Sequence, residues 1–155
     1  MQNPVAVANT YRILGLLIAL TVFKVESIQL TEEFIEFKVG KSKRSHFFAV
    51  LMDEDENPYL DIETVLNDWL EIPTSCKVER QYCQGILYPS KTIYWIDGQQ
   101  RQLGSNKADA SAIDIAADDI AFVDNKLWLK YSRIAHWLPV NISWTLYRYS
   151  LSLTP

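Results

Sequence analysis

The sequence predicts an α+β fold, mainly antiparallel β-sheet with two short helices. Three features lead to this prediction: short stretches in which apolar and polar residues alternate, turn-forming residues between them, and two brief segments with helical spacing. With 155 residues, 48% of them hydrophobic, the chain is long enough to bury a sizeable core. We therefore expect residues 28–155 to form a single domain.

Residues 1–27 have the features of a secretory signal peptide. Arg12 precedes an apolar run at residues 13–23, which would span roughly 16 Å as a helix at about 1.5 Å per residue. A membrane span needs about 20 residues, whereas the apolar part of a signal peptide needs about 7–15. We expect cleavage before Ile28, a periplasmic or secreted product, and no stable membrane span afterwards. The alternatives are an uncleaved N-terminal anchor and a buried helix of a cytosolic domain.

The first two predicted strands form a hairpin. FIEFKV, at residues 34–39, alternates apolar with charged residues and places Ile35 and Phe37 on one face. HFFAVLM, at residues 46–52, is continuously apolar and predicts a more central strand. The polar stretch between them contains Gly40, as a turn requires.

The next stretch predicts a turn, a strand and a short helix. Residues 53–58 are acidic and end in proline, and residues 59–62 form a short strand. Residues 63–70 place their apolar side chains on one helical face. Pro73 follows, where a helix cannot continue.

A later stretch has the same order. Asp124 and Asn125 predict a turn, residues 127–131 a strand, Ser132 the cap of a short helix, and Pro139 its end.

The match between these stretches predicts two half-repeats, residues 46–90 and 113–155, joined by a hairpin and linker at residues 91–112. Both predicted helices end in Trp-Leu, so we expect Trp69 and Trp137 to occupy equivalent core positions. Such β-turn-β-helix-β units bury their faces against each other, and duplication therefore builds a core.

Two further β elements complete the prediction. Asp97 and Gly98 lie between two extended runs, which is a strong hairpin signal. Near the end of the chain, one face of an alternating strand contains Tyr147, Tyr149, Leu151 and Leu153. The aromatic residues of this last stretch are therefore interpreted as core.

The two cysteines, Cys76 and Cys83, favour a structural disulfide if the chain is exported. Free thiols, zinc binding and redox catalysis are the alternatives. Zinc usually needs four ligands, and the other candidates, His46 and His136, are isolated from each other. A thioredoxin-like site needs C-x-x-C.

Composition excludes several functions. The formal net charge of −4 argues against nucleic-acid binding, since an acidic chain gains nothing from counterion release. The basic cluster at residues 41–44 is interpreted as a solvated loop, and the acidic residues 53–56 do not have EF-hand spacing. His46 and His136 are interpreted as packed or surface groups, and no hydrolase, zinc-protease or phosphate-loop motif occurs. We expect a non-enzyme without metal or cofactor.

Two stretches, FFAVLMDEDENPYLDIETVLNDWL and DNKLWLKYSRIAHWLPVNISWTLYRYSLSLTP, resemble the periplasmic N-terminal region of outer-membrane ushers, the assembly pores of the chaperone–usher fimbrial pathway. The resemblance lies in the order of strands and helix and covers residues 47–155. A similar pattern occurs in copper-amine-oxidase-like N-terminal domains. In ushers a large β-barrel follows, and its absence after residue 155 implies a free-standing or truncated piece.

The resemblance implies a non-catalytic binding or assembly module whose partner is a chaperone or a pilin-like protein. We expect FIEFKV to be an edge strand, because its alternating charges are how soluble edges avoid self-pairing. Ile35, Phe37 and Trp128 are the candidate partner-binding residues. The alternative is a secreted domain that binds a glycan or peptide, or a hydrolase with an unrecognised site among the aromatic residues.

Overall fold

The computed structural model describes residues 28–40, 46–148 and 150–154. Within these residues the fold is α+β and mainly β, which confirms the predicted class. The strands are β1 Thr31–Val39, β2 His46–Met52, β3 Pro58–Asp61, β4 Thr74–Lys77, β5 Tyr82–Leu87, β6 Thr92–Asp97, β7 Gln102–Ser105, β8 Ile113–Asp114, β9 Ile120–Val123, β10 Lys126–Lys130, β11 Asn141–Thr145 and β12 Ser150–Thr154. The two short helices are α1 Thr64–Trp69 and α2 Tyr131–Trp137.

The strands form two sheets. Sheet A has the order β11-β12-β1-β2-β3-β10-β9, and sheet B has the order β4-β5-β6-β7-β8. Strands β1 and β12 pair in parallel, whereas the other strand pairs among the described residues are antiparallel.

The prediction that FIEFKV is an edge strand is wrong. It lies within β1, the third strand of seven, between β12 and β2. The physical reason is that side chains point above and below a sheet and not along its hydrogen bonds. Alternation of apolar and charged residues therefore indicates a strand with one solvent-exposed face, but it does not distinguish an edge strand from an interior one.

Two segments of the chain have the predicted common order. The first segment, residues 46–70, contains β2, a turn, β3 and α1, and the second segment, residues 120–138, contains β9, a turn, β10 and α2. Their second strands pair with each other, with Leu60 opposite Leu129. The segments then diverge, because β4 joins sheet B while β11 joins the edge of sheet A. Whether they arose by duplication stays a prediction.

Helix α1 is wound more widely than an α-helix. The backbone N–H of Leu70 donates to the carbonyl of Val65, five residues earlier, at 3.1 Å. One face of α1 is buried, as its apolar spacing predicts, and its buried residues are Val65, Leu66 and Trp69.

Three local predictions have different outcomes. Ser132 does not cap α2, because the helix begins one residue earlier, at Tyr131, and Lys130 takes the capping position. Tyr147 does not share the buried face of Leu151, since it lies in a 3-10 turn and is 93% exposed. The hairpin at Gly98 is confirmed as β6–β7.

Gly98 is required by packing and not by a left-handed turn. A Cβ atom at this position would lie 2.7 Å from Cδ1 of Leu127 and 3.1 Å from Cβ of Gln81. These distances are too short for ordinary van der Waals contact, so the β6–β7 loop approaches the second segment closely only because residue 98 has no side chain.

The main core lies between the two sheets and the helices. An aromatic cluster forms part of it, in which the rings of Phe37 and Trp69 stack with centroids 3.6 Å apart and Phe48 meets both edge-on. A smaller cluster covers the opposite face of sheet A and consists of Leu51, Tyr59 and Trp128.

The proposed signal peptide, residues 1–27, and the basic cluster, residues 41–44, lie outside the described residues. In the part of the chain that the structure describes, no helix is long and apolar enough to cross a membrane.

Candidate functional site

The disulfide is confirmed. Cys76 of β4 and Cys83 of β5 lie directly opposite each other in sheet B, with Cα atoms 4.1 Å apart, and their sulfurs are bonded. The bond ties the edge strand β4 to its neighbour. Its position in the sheet gives it a structural role.

The three predicted partner-binding residues do not come together on the surface. Ile35 and Phe37 are completely buried in the main core. Trp128 is 7% exposed, lies in the smaller cluster on the other face of sheet A, and donates its Nε1–H to the carbonyl of Val123 at 3.2 Å. None of these three side chains is accessible to a partner in this structure, because all three are packed in the hydrophobic clusters.

The same hairpin nevertheless exposes two large aromatic side chains. Phe34 of β1 is 68% exposed and Phe47 of β2 is 72% exposed. The register pairs Phe34 with Ala49 and Glu36 with Phe47, so the two rings are diagonal neighbours on the outer face of sheet A. We call Phe34, Phe47 and Ala49 the hairpin face.

The strand pairing around the hairpin face is incomplete. Strand β12 pairs with β1 from Glu36 onwards, and β3 pairs with β2 only at Leu51 and Met52. Among the described residues, residues 31–35 of β1 and 46–50 of β2 therefore each have a strand neighbour on one side only. Such segments are where an extended partner chain adds to a sheet.

The surroundings of the hairpin face are mostly acidic. Glu32 of β1 is exposed on the same outer face as Phe34, and Glu36 on that face forms a 3.7 Å ion pair with Lys38. A surface with apolar rings and acidic neighbours is complementary to a partner with apolar and basic groups.

A network of ion pairs lies at the start of the first segment's turn. Lys130 Nζ is 3.2 Å from a carboxylate oxygen of Asp53 and 3.7 Å from one of Asp119, and Arg133 Nε is 2.5 Å from the other oxygen of Asp119. The hydroxyl of Tyr59 donates to the carbonyl of Asp118. Each charge has a partner, which favours a structural role.

The pKa values in this network follow from burial and pairing. Burial opposes ionisation of Asp53, but hydrogen bonds from Asn57 and Lys130 outweigh it, so its pKa is lowered. Burial raises the pKa of Tyr59 although Lys130 opposes the shift. Burial alone would lower the pKa of Lys130, but the hydrogen bond to Asp53 and the nearby Tyr59 raise it. Asp53 and Lys130 are thus both held in their charged forms.

One recess has mixed polar and apolar walls. It has a volume of about 500 Å³ and lies between Tyr94, Lys107, Asp109, His136 and Trp137. Its two aromatic rings are too buried to stack against a sugar, which argues against a glycan platform.

His136 of this recess contacts a backbone carbonyl through its ring nitrogen. Its Nδ1 lies 2.6 Å from the carbonyl oxygen of Ser132 and not against a carboxylate, as a Ser-His-Asp triad would require. His46 is exposed on β2, in a different part of the fold. In the described parts of the chain, no three His, Cys, Asp or Glu side chains are grouped so as to hold a metal ion.

Sequence reasoning missed Phe34 and Phe47. The alternation of FIEFKV puts Phe34 on the face opposite Ile35, so its exposure could have been predicted from the period of two. Phe47 has no such signal, because HFFAVLM is apolar throughout and its two faces look alike.

Comparison of the whole chain with protein-family models, with curated proteins and with solved structures finds no match in any of the three.

Proposed function

We propose that this chain is a non-catalytic binding module of the periplasm or of secreted material, which engages a protein partner through the hairpin face. The observation that carries the proposal is the pair of exposed rings, Phe34 and Phe47, on adjacent strands with incomplete pairing. Large exposed aromatics are the usual anchors of protein interfaces. The disulfide fits an oxidising compartment.

The partner class follows from the usher resemblance and from the surface chemistry. Ushers bind chaperone–pilin complexes, and an extended segment of such a complex could add beside β1 or β2 while an apolar side chain contacts the hairpin face. The acidic neighbour Glu32, on the same face as Phe34, favours a segment that carries lysine or arginine.

The test uses the full chain and a purified chaperone–pilin complex encoded by the same genome. Phe34→Ser combined with Phe47→Ser should weaken binding at least about tenfold, since loss of an anchor at an interface costs about 1–2 kcal/mol or more. The matched control is Val78→Ser with Ile113→Ser, which removes two exposed apolar side chains from the β4–β5 turn and from β8, at sheet B. Equal binding by both double variants would place the interface elsewhere. If the wild-type chain does not bind the complex, the proposal of an usher-like partner is wrong.

A further inference from the structure

The outer face of sheet B belongs to a different sheet from the hairpin face and shares no residue with it. Ile96 and Leu103 point into the main core, so the residues that alternate with them along each strand point outwards. We call six of these outward residues the Trp95 face. They form two rows across β5, β6 and β7, one of Tyr82, Asp97 and Gln102 and one of Gln84, Trp95 and Gly104.

The indole of Trp95 lies across the sheet because residue 104 has no side chain. A Cβ atom at Gly104 would lie 2.7 Å from Cζ2, 3.0 Å from Cε2 and 3.3 Å from Nε1 of Trp95. These atoms belong to both rings of the indole, so the glycine backbone lies beneath the ring system. Trp95 is only half-buried and belongs to neither hydrophobic cluster, so its other face is open to solvent. The fold thus holds an aromatic face ready before any ligand arrives.

Hydrogen-bonding side chains surround this indole. The hydroxyl of Tyr82 donates to Oε1 of Gln84 at 3.2 Å, and Nε2 of Gln102 donates to a carboxylate oxygen of Asp114 at 2.9 Å. Burial raises the pKa of Tyr82 and the nearby Asp97 carboxylate adds to the shift, so the hydroxyl keeps its proton. Both amides are therefore oriented by a neighbour. Among the described residues, Nε2 of Gln84 and Oε1 of Gln102 are left without a partner.

The charges on this face favour an uncharged ligand. At the outward positions of the described strands of sheet B, the charged residues are Asp97, Asp114 and Lys77. An anion such as a nucleotide would meet more carboxylates than ammonium groups, and its phosphate would be repelled. Both carboxylates already accept a hydrogen bond from within the fold, so neither requires a cationic ligand.

A sugar ring combines the two kinds of surface that the Trp95 face can contact. One side of a pyranose presents C–H groups, which pack against an aromatic face, and its rim presents hydroxyls that donate and accept hydrogen bonds. We infer that the Trp95 face binds a neutral oligosaccharide. One sugar ring packs on the open face of the indole, and its hydroxyls bond to Nε2 of Gln84 and Oε1 of Gln102. An open sheet surface suits a chain of sugars better than a single sugar, which would bury little surface there.

The experiment titrates the ¹⁵N-labelled full chain with four neutral hexasaccharides, made of glucose, mannose, galactose or N-acetylglucosamine. The indole N–H signal of Trp95 is assigned by its loss in Trp95→Phe. It should move saturably with at least one hexamer, with a Kd below about 10 mM, while the Trp128 signal in sheet A stays in place. Saturation transferred from the protein should reach the C–H protons of the sugar. The anionic hexamer of galacturonic acid should bind at least about tenfold more weakly than the best neutral hexamer.

Two variants test the contacts of the best hexamer. Trp95→Ala removes the aromatic face, and Gln84→Leu removes an amide but leaves the indole, so each should weaken binding at least about tenfold. If Trp95→Ala does not fold, Gln84→Leu carries the test. The control is Tyr147→Ser, which removes an exposed ring from the β11–β12 turn and should bind like the wild type.

Three results would overturn the inference. The first is that no neutral hexamer moves the Trp95 signal up to about 10 mM. The second is that the folded variants at Trp95 and Gln84 bind the hexamer as tightly as the wild type does. The third is that the anionic hexamer binds as tightly as the neutral one.

Discussion

The first and second segments end in the same pair of residues, Trp-Leu, but their indole nitrogens have different surroundings. Trp69 packs by stacking on Phe37 at a centroid distance of 3.6 Å, and its N–H is left without an acceptor in the described structure. Trp137 contacts Tyr94 edge-on at 6.3 Å and donates to Gly104. The same local pattern thus buries a tryptophan twice, once by ring stacking and once by packing with a hydrogen bond.

Their turns also differ. In the first segment, the carboxylate of Asp53 accepts the backbone N–H groups of Asp55 and Asn57 and holds a longer loop together. In the second, Asp124 and Asn125 both adopt positive φ values, 51° and 61°, which is the conformation of a tight hairpin turn. Glu56 in the first turn also has a positive φ, 60°, so both turns use the left-handed region and the first turn has the side-chain acceptor in addition.

The comparison separates two levels of control. Apolar spacing and turn residues decide that each segment becomes strand, turn, strand and helix. What each tryptophan contacts is decided by the strands that other parts of the chain bring to it, and here sheet B supplies a carbonyl to one indole only. Pattern similarity therefore predicts burial but not hydrogen bonding.

The largest expected effect comes from removing either indole. Trp69→Ala and Trp137→Ala should each lower the free energy of unfolding by about 3–5 kcal/mol, because each truncation leaves a cavity in the core. Chemical denaturation of the purified variants measures this loss. Losses below about 1 kcal/mol at both positions would contradict their equivalence as core residues.

Replacement of each tryptophan by phenylalanine tests the difference between the two indole N–H groups, one hydrogen-bonded and one without an acceptor. Trp137→Phe removes a hydrogen bond and leaves the Gly104 carbonyl without its donor, whereas Trp69→Phe removes no bond within the described structure. The loss at Trp137 should exceed that at Trp69 by about 1 kcal/mol. A larger loss at Trp69 would contradict the assignment of the unpartnered indole.

The disulfide should have the next largest effect. The strand after the first segment, β4, is tied into sheet B by Cys76 and Cys83, while β11 after the second segment has no such bond. Cys76→Ser with Cys83→Ser should lower the free energy of unfolding by about 2–3 kcal/mol, as expected for a short closed loop. Urea denaturation with and without reductant measures this loss. An equal urea midpoint for the wild type in both conditions would contradict the prediction.

The smallest expected effect concerns pH. The pKa of Asp53 is lowered in the folded protein, so its contribution to stability is present above its unfolded value near pH 4 and is lost as pH falls through the folded value. Asp53→Asn should therefore be less stable than the wild type near pH 7 and lose less stability on acidification. Thermal unfolding between about pH 7 and pH 2 measures how the stability of the wild type and of the variant changes with pH.

Asp124→Asn, in the exposed turn of the second segment, is the control for the pH experiment. Asparagine and aspartate both tolerate the left-handed backbone there, so this variant keeps the turn and removes a carboxylate that lies outside the ion pairs of Asp53. If both variants reduce the pH dependence of stability equally, the effect is not specific to the turn of the first segment.

Much of the fold follows from periodicity. Strand β2 begins and ends at the predicted residues, and the helices lie within two residues of their predicted positions, because alternation and helical spacing are local signals. Strand order is not local. The parallel pairing that puts β1 inside sheet A depends on β12 at the other end of the domain, and no pattern within FIEFKV encodes it.

The candidate site was less accessible to prediction. The disulfide could be predicted, since two cysteines leave few choices once the N-terminal residues are interpreted as a signal peptide. Ile35 and Phe37 are predicted to bind a partner because FIEFKV is predicted to be an edge strand, and the same prediction omits the exposed Phe34 beside them. The apolar recess lined by Leu87 of β5 and Leu153 of β12 has no sequence signal, because the two strands belong to different sheets and are distant in sequence.

The parallel pairing of β1 with β12 also sets the order of events during folding. Glu36 contacts Ser150 across more than a hundred residues of chain, so the middle of sheet A remains open until the last strand has emerged. Contacts of such long sequence separation form slowly. Until then Phe37 and the rings packed on it lack the cover that Leu151 provides, and the unpaired edge of β1 is open to other chains. A protein of this topology would benefit from a holding chaperone before its last strand pairs, independently of any partner that it binds once folded.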